Sequence, residues 1–201
     1  MKFLVTSALA FLALAPFALA VPVTTVAAEA LTSLKTAQII PDVISSFVPT
    51  ATLTVDYGRM TPVKMGEEML PSEVAKEPVV TFTGTDPKKM YTLVMTDPGV
   101  LDIKTLRVEQ QSAWQWLHWI VVNVPGDMAV PAAGKVVQPY GPPAPPAGNH
   151  RYTFLLFEQK AEINPATPKE RGSFDTRAFA AANSLTPVGG FYFLAQPEAA
   201  Q

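Results

Sequence analysis

A mainly β fold of the α+β kind, with a few peripheral helices, is what this chain predicts, and three observations lead there. Twenty prolines and eleven glycines are spread along 201 residues and cut the chain into short pieces, as a turn-rich β fold requires. The runs Tyr91 to Thr96, Trp116 to Val124 and His150 to Phe157 are apolar and rich in β-branched and aromatic residues, so they read as buried strands. Helical spacing of apolar residues appears in only two short stretches. Hydrophobic residues make up 48% and charged residues 16%, the balance of one globular domain with a core rather than a disordered chain.

Taken in order, residues 1–20 read as a secretory signal peptide. Lys2 supplies the positive end, Phe3 to Phe17 the apolar segment, and Ala18-Leu19-Ala20 a small-residue cleavage site. The expectation is an exported protein whose single mature domain spans 21–201, with no transmembrane segment after cleavage. No asparagine starts an N-x-S/T sequon. Ala30, Leu31, Leu34 and Ala37 predict an amphipathic helix over Ala27 to Gln38, stopped by Pro41. Leu53 to Tyr57 alternates apolar and polar residues as a half-buried strand does. Val63 to Met65 and Val79 to Phe82 read as further short strands, and Asp86 to Lys89 as a turn into Met90 to Thr96. After a polar excursion over Asp102 to Gln111 comes the strand from Trp116, closed by Pro125-Gly126. Gly126 to Gln138 reads as a surface connection. Pro139 to Gly148 is a stiff proline-rich loop that cannot join a central sheet. Glu162 to Gly172 is loop, Ser173 caps a helix over Phe174 to Asn183, and Pro187 to Gly190 turns the chain into a last strand, Phe191 to Ala195.

Composition excludes several chemistries. With no cysteine there is no disulfide, thiolate nucleophile or thiolate metal site, and two histidines argue against a structural zinc site, while a His-His-Asp catalytic metal site stays formally open. The net charge of -2 becomes one unit more negative if Lys2 is removed, so nucleic acid is not an expected partner. No G-x-S-x-G, H-E-x-x-H or P-loop occurs. What remains are three polar groups at the ends of apolar runs: Asp97, His118 and His150. Taken singly, each has an ordinary reading. Asp97 before Pro98-Gly99 is a turn-former, His118 a core or rim histidine, and His150 a surface strand start. Taken together, they mark the ends of three apolar runs as the place where a site is expected.

The motifs add a resemblance. Ile39-Ile40-Pro41-Asp42-Val43-Ile44, Val94-Met95-Thr96-Asp97-Pro98 with Leu117-His118-Trp119 and Asn123-Val124-Pro125-Gly126, and above all Pro143-Ala144-Pro145-Pro146-Ala147-Gly148-Asn149-His150-Arg151-Tyr152, stand in order at compatible distances. Phe174 to Phe179 and Pro187 to Gly190 complete the series. This set resembles the phosphatidylethanolamine-binding protein (PEBP) family, which includes Raf-kinase-inhibitor-like proteins, plant flowering-time regulators and a yeast carboxypeptidase inhibitor. The resemblance implies a large central antiparallel sheet packed on a smaller sheet, with a few helices at the edges. It implies a small pocket for phosphate-like anions or phospholipid head groups, built from Asp97, His118, Ala144, Pro145, Pro146, His150 and Tyr152. It implies no catalytic residue, metal or cofactor. Its alternative is an inhibitor of a protease, a serine carboxypeptidase, acting through surface loops. A phosphoester hydrolase using the Asp, His and Tyr groups ranks below both. The chain departs from the family's usual Asp-Pro-Asp-x-Pro at Asp97-Pro98-Gly99-Val100-Leu101. Trp116 and Trp119 are expected in the core, away from the His118 ring.

Overall fold

The computed structural model describes residues 23–102, 107–108 and 115–198, so the leader expected at 1–20 and most of the polar excursion lie outside the described residues. Helices α1 (Val23–Thr36) and α2 (Ile39–Asp42) come first, followed by β1 (Thr52–Asp56), a 3-10 turn at Pro71–Val74, β2 (Val79–Thr83) and β3 (Met90–Asp97). Then come the two-residue strands β4 (Leu101–Asp102) and β5 (Arg107–Val108), β6 (Trp116–Pro125), β7 (Lys135–Gln138), β8 (His150–Gln159), α3 (Thr176–Ala182) and β9 (Thr186–Ala195). Five strands form the central sheet in the order β7-β6-β3-β8-β9, every pair antiparallel. Strands β1 and β2 form a small second sheet. The fold is mainly β, as expected.

Both faces of the central sheet are covered, and this explains why its strands read as continuous apolar runs rather than alternating ones. Seven of the eight residues of β3 are buried. One face (Leu93, Met95, Val121, Phe154, Leu156, Phe193) packs on the small sheet through Leu53, Val55 and Val80. The opposite face (Val94, Ile120, Val122, Leu155, Phe157) packs on Leu34, Ile39 and Val43 of the amino-terminal helices and on Ala180 of α3. Half-exposed antiparallel strands alternate polar and apolar residues; strands sandwiched between two layers have no solvent face to mark.

Several local expectations shift. Helix α1 ends at Thr36, before Pro41, because Gln38 turns left-handed at φ 54. Val63 to Met65 is not a strand; among the described residues its one backbone hydrogen bond to β1 is the Val63 amide donating to the Val55 carbonyl at 2.9 Å. The supposed surface connection contains β7, an edge strand on β6. Asp175, not Ser173, caps α3: its Oδ1 accepts from the Arg177 and Ala178 amides at 2.9 and 3.0 Å. Pro187 to Gly190 lies inside β9 rather than in a turn. The turn comes earlier, at Ser184 with φ 54.

The glycines of β9 serve contact rather than bending. A Cβ on Gly189 would lie 2.8 Å from the Ala51 carbonyl oxygen, where the chain entering β1 crosses the strand. Gly189→Ala must therefore push backbone apart. It is expected to lower unfolding stability by about 1–3 kcal/mol in urea titration, with the denaturant slope unchanged; a loss below about 0.5 kcal/mol would show that the crossing yields freely.

Candidate functional site

Antiparallel order places the site. With β3 between β6 and β8, the carboxyl end of β3 lies beside the amino ends of both neighbours. Asp97 pairs with Trp116 on β6, and Thr96 with Thr153 on β8. Asp97, His118 and His150 thus reach one edge of the sheet, and a pocket of about 500 Å³ opens there. Asp97, His118, Ala144, Pro146, His150 and Tyr152 line it, together with Trp116, Gly141, Pro142 and Arg171. Pro145 is the exception among the expected residues. The proline-rich loop turns Pro143 and Pro145 inward, where they are buried, and leaves Ala144 and Pro146 exposed toward the opening.

Asp97 is both the turn-former and a pocket group. Its Oδ1 accepts from the Gly99 amide at 2.7 Å, and its Oδ2 accepts from His150 Nδ1 at 2.7 Å. Gly99 sits at φ 98, a conformation glycine adopts without a Cβ penalty, so the departure at this position suits the turn it makes. The turn then bonds back to β8, with Val100 bridging to His150 and the Arg151 amide donating to the Gly99 carbonyl at 3.3 Å. Gly148, at φ 71, lets the proline-rich loop close on this turn, since a Cβ there would lie 2.9 Å from a Val100 methyl.

The two imidazoles are in different states. His150 faces acceptors at both ring nitrogens: the Asp97 carboxylate at Nδ1, and the Ala147 carbonyl at 3.1 Å from Nε2. Neither acceptor can donate, so both contacts are satisfied only by the imidazolium. Burial works to lower the His150 pKa, but the hydrogen bond and charge of Asp97 outweigh it and the value is raised. His118 is 3% exposed and donates Nδ1–H to the Gly141 carbonyl at 2.6 Å. Burial dominates there and lowers its pKa, against smaller upward pulls from Gly141 and Asp97. Tyr152 packs against both rings, edge-on to His118 at 5.1 Å and stacked on His150 at 6.4 Å. Burial, with the Asp97 charge adding to it, holds its hydroxyl protonated.

Four lining residues stand outside the expected set: Gly141 and Pro142, which belong to the proline-rich loop, and two that the sequence reading missed altogether. Trp116 is not in the core: it is 52% exposed and walls the pocket against Gly172. As the first residue of β6 it stands at the sheet edge, where the pocket opens and the core has ended, and a β-bulge follows it. Met95 pairs with Trp119 but Thr96 with Leu117, so His118 is an extra residue in β6. Leu117 and Ile120 consequently share the helix-covered face, while Trp119 joins the opposite cluster, the one that holds Tyr152 beside the His118 ring. Trp119 is core, as expected, but not on the face away from His118. Arg171, the second residue missed, comes from the loop before α3. Its guanidinium donates to the Leu117, His118 and Pro139 carbonyls at 3.0, 2.9 and 2.8 Å, tying the start of β6 to the proline-rich loop. Nothing near it in sequence marks it; only a lone arginine in a polar loop was visible.

Residues 44–193 match the family model described as phosphatidylethanolamine-binding protein. This chain belongs to the phosphatidylethanolamine-binding protein family. Among its relatives, CEN-like protein 1 of Nicotiana tabacum is 36% identical over 168 residues, covering 83% of this chain and 93% of the relative. Protein TERMINAL FLOWER 1 of Arabidopsis thaliana is 38% identical over 166 residues, 81% and 89% of the two chains. Solved structures confirm the fold. A carboxypeptidase Y inhibitor, solved in complex with its cognate proteinase, superposes with a TM-score of 0.71 at 24% identity, over 86% of this chain and 97% of the other. The phosphatidylethanolamine-binding protein from Plasmodium vivax gives 0.66 at 18% identity, over 84% and 97%. Every pocket residue of this PEBP lies inside the matched segment.

Opposite shifts of two histidines give a direct check. In ring-detected NMR titration, His150 is expected to titrate above, and His118 below, the ordinary value of about 6.5. The stability signs follow. The raised His150 contributes stability that is fully present below its unfolded pKa and is lost as pH rises through its folded value. The lowered His118 acts the other way, costing stability as pH falls from its unfolded pKa through its folded one. Asp97→Asn should bring the His150 value down; an unchanged His150 titration in that variant would disprove the ion pair.

Proposed function

We propose that this PEBP is an exported binding protein for small phosphate-like anions, including phospholipid head groups, and not an enzyme. One observation carries the reading: two cations, the His150 imidazolium and the Arg171 guanidinium, stand at the pocket against a single carboxylate, Asp97. That carboxylate is already committed at both oxygens. The excess positive charge sits among Trp116, Pro142, Ala144, Pro146 and Tyr152, in a low-polarity lining where an anion feels it more strongly than in water. A cavity of about 500 Å³ falls in the range that holds a small ligand. The stiff proline loop supports binding, since a wall shaped in advance loses little entropy when the ligand arrives.

The non-enzymatic reading rests on the same bonds. Hydrolysis needs a nucleophile, or a base able to activate water. Among the described residues of the pocket, Asp97 and His150 neutralise each other and Tyr152 stays protonated, while the one open base, His118, is oriented by the Gly141 carbonyl rather than by a carboxylate and has no hydroxyl or thiol nucleophile paired with it. A protease-inhibitor function is a second reading. It is favoured by the fold likeness to the carboxypeptidase Y inhibitor and by two bare apolar side chains, Val48 at 79% and Met60 at 104% exposure.

Inorganic phosphate, added to millimolar concentration, is expected to move the ring signals of His118 and His150 in NMR spectra; no movement of either would end the anion reading. Expressed with its leader in a secreting host, the protein should appear in the medium starting at Val21, and an intact Met1 would refute export. Serine carboxypeptidase activity unaffected by micromolar protein would remove the inhibitor reading.

A further inference from the structure

The bonds around the two imidazoles limit what an anion can find in the pocket. His150 has no donor to spare, because both ring nitrogens are taken by Asp97 and the Ala147 carbonyl. Arg171 spends its five N–H donors on the Leu117, His118 and Pro139 carbonyls and on the Gln138 side-chain oxygen, and so offers charge rather than direct donors. His118 donates Nδ1–H to the Gly141 carbonyl, which leaves Nε2 as the one imidazole nitrogen without a partner among the described residues. In the neutral ring that nitrogen is an acceptor. A lone pair facing a bare phosphoryl oxygen is repulsive, so a proton must lie between them.

We propose that the pocket takes up a phosphoryl group together with one proton, shared between His118 Nε2 and a phosphoryl oxygen, and therefore prefers phosphomonoesters over phosphodiesters. A monoester has a second pKa of about 6, so its oxygen can carry that proton near neutrality. Diester oxygens carry no such proton, and His118 alone must then supply it from solvent. The inference rests on the anion-binding reading above and narrows its ligand class to phosphate monoesters.

The groups that face His118 agree with a single proton site. Asp97 at the end of β3 is bound to His150 and to its own turn. His150 and Tyr152 on β8 are already protonated, the second by burial. Arg171, from the loop before α3, and the Gly141 carbonyl, from the proline-rich loop, do not titrate near neutrality. The bonds of these groups are already made, so the proton taken up on binding is placed at His118, whose Nε2 is the imidazole nitrogen still open to it.

Calorimetry on the mature protein tests this with two probes, O-phosphoethanolamine as the monoester and glycerophosphoethanolamine as the diester. At pH 7.5, in buffers of different ionisation enthalpy, the monoester is expected to bind with uptake of about one proton. Linkage then predicts affinity falling about tenfold per pH unit between pH 7 and 8, levelling off below about pH 6, where the ligand brings its own proton. The diester is expected to bind at least about tenfold more weakly at pH 7.5. His118→Gln should abolish the proton uptake; a His118→Gln protein that binds the monoester with uptake unchanged overturns the assignment of the site. Monoester binding without proton uptake, or equal affinity for the two probes, overturns the inference while leaving anion binding intact. Binding of neither probe between pH 5 and 8 overturns both.

Discussion

Arg151 is the interaction on which the rest depends. Its side chain, near the start of β8, is wholly buried on the helix-covered face. The guanidinium donates to the Ala37 carbonyl at 3.0 Å and the Asp42 carboxylate at 3.1 Å, where the two amino-terminal helices meet. On its other side it donates to the Gly99 and Pro98 carbonyls at 3.2 and 3.3 Å. A buried charge is tolerated only when its partners are all in place, and removing one partner of such a pair typically costs about 3–5 kcal/mol. One side chain therefore holds the amino-terminal helices, β8 and the turn after β3 in a single arrangement.

The consequence for the pocket follows from strand alternation. Arg151 points to the helix face, so its neighbours His150 and Tyr152 point to the other. The clamp fixes Pro98 and Gly99 behind the sheet, and that sets where Asp97 stands when it meets His150 in front. On the opposite flank Arg171 does a similar task, fastening the start of β6 to the proline-rich loop through three carbonyls. Both arginines spend their hydrogen bonds on scaffold, not on the opening. The pocket is left with few uncommitted polar groups, which is why the free nitrogen of His118 weighs so heavily in what it can bind.

Much of this was legible in the chain. The three apolar runs that became β3, β6 and β8 were visible because β-branched and aromatic residues cluster there, and Asp97, His118 and His150 stood out as polar exceptions at their ends. The proline-rich loop was readable because proline forbids a central strand. Trp116 was misplaced because a tryptophan at the head of an apolar run looks like core, whereas the strand end it occupies opens onto the pocket, and the bulge at His118 that sets the faces around it leaves no local signal. Arg171 was invisible because an arginine in a polar loop looks the same whether it faces solvent or bridges two elements. Pro187 to Gly190 read as a turn because glycine serves tight turns and close crossings alike, and only the neighbouring chain at Ala51 tells them apart.

By itself, then, the sequence determined the fold class, the family and the chemical cast of the pocket, since these depend on composition, motif order and residue type. Tertiary structure alone decided which ring nitrogens are free, which histidine is charged and which tryptophan faces solvent. Those properties belong to pairs of groups far apart in the chain: Asp97 with His150, Gly141 with His118, Arg171 with the carbonyls of β6. A donor and its acceptor become partners only when the sheet brings them within hydrogen-bond distance, and no local pattern records that meeting.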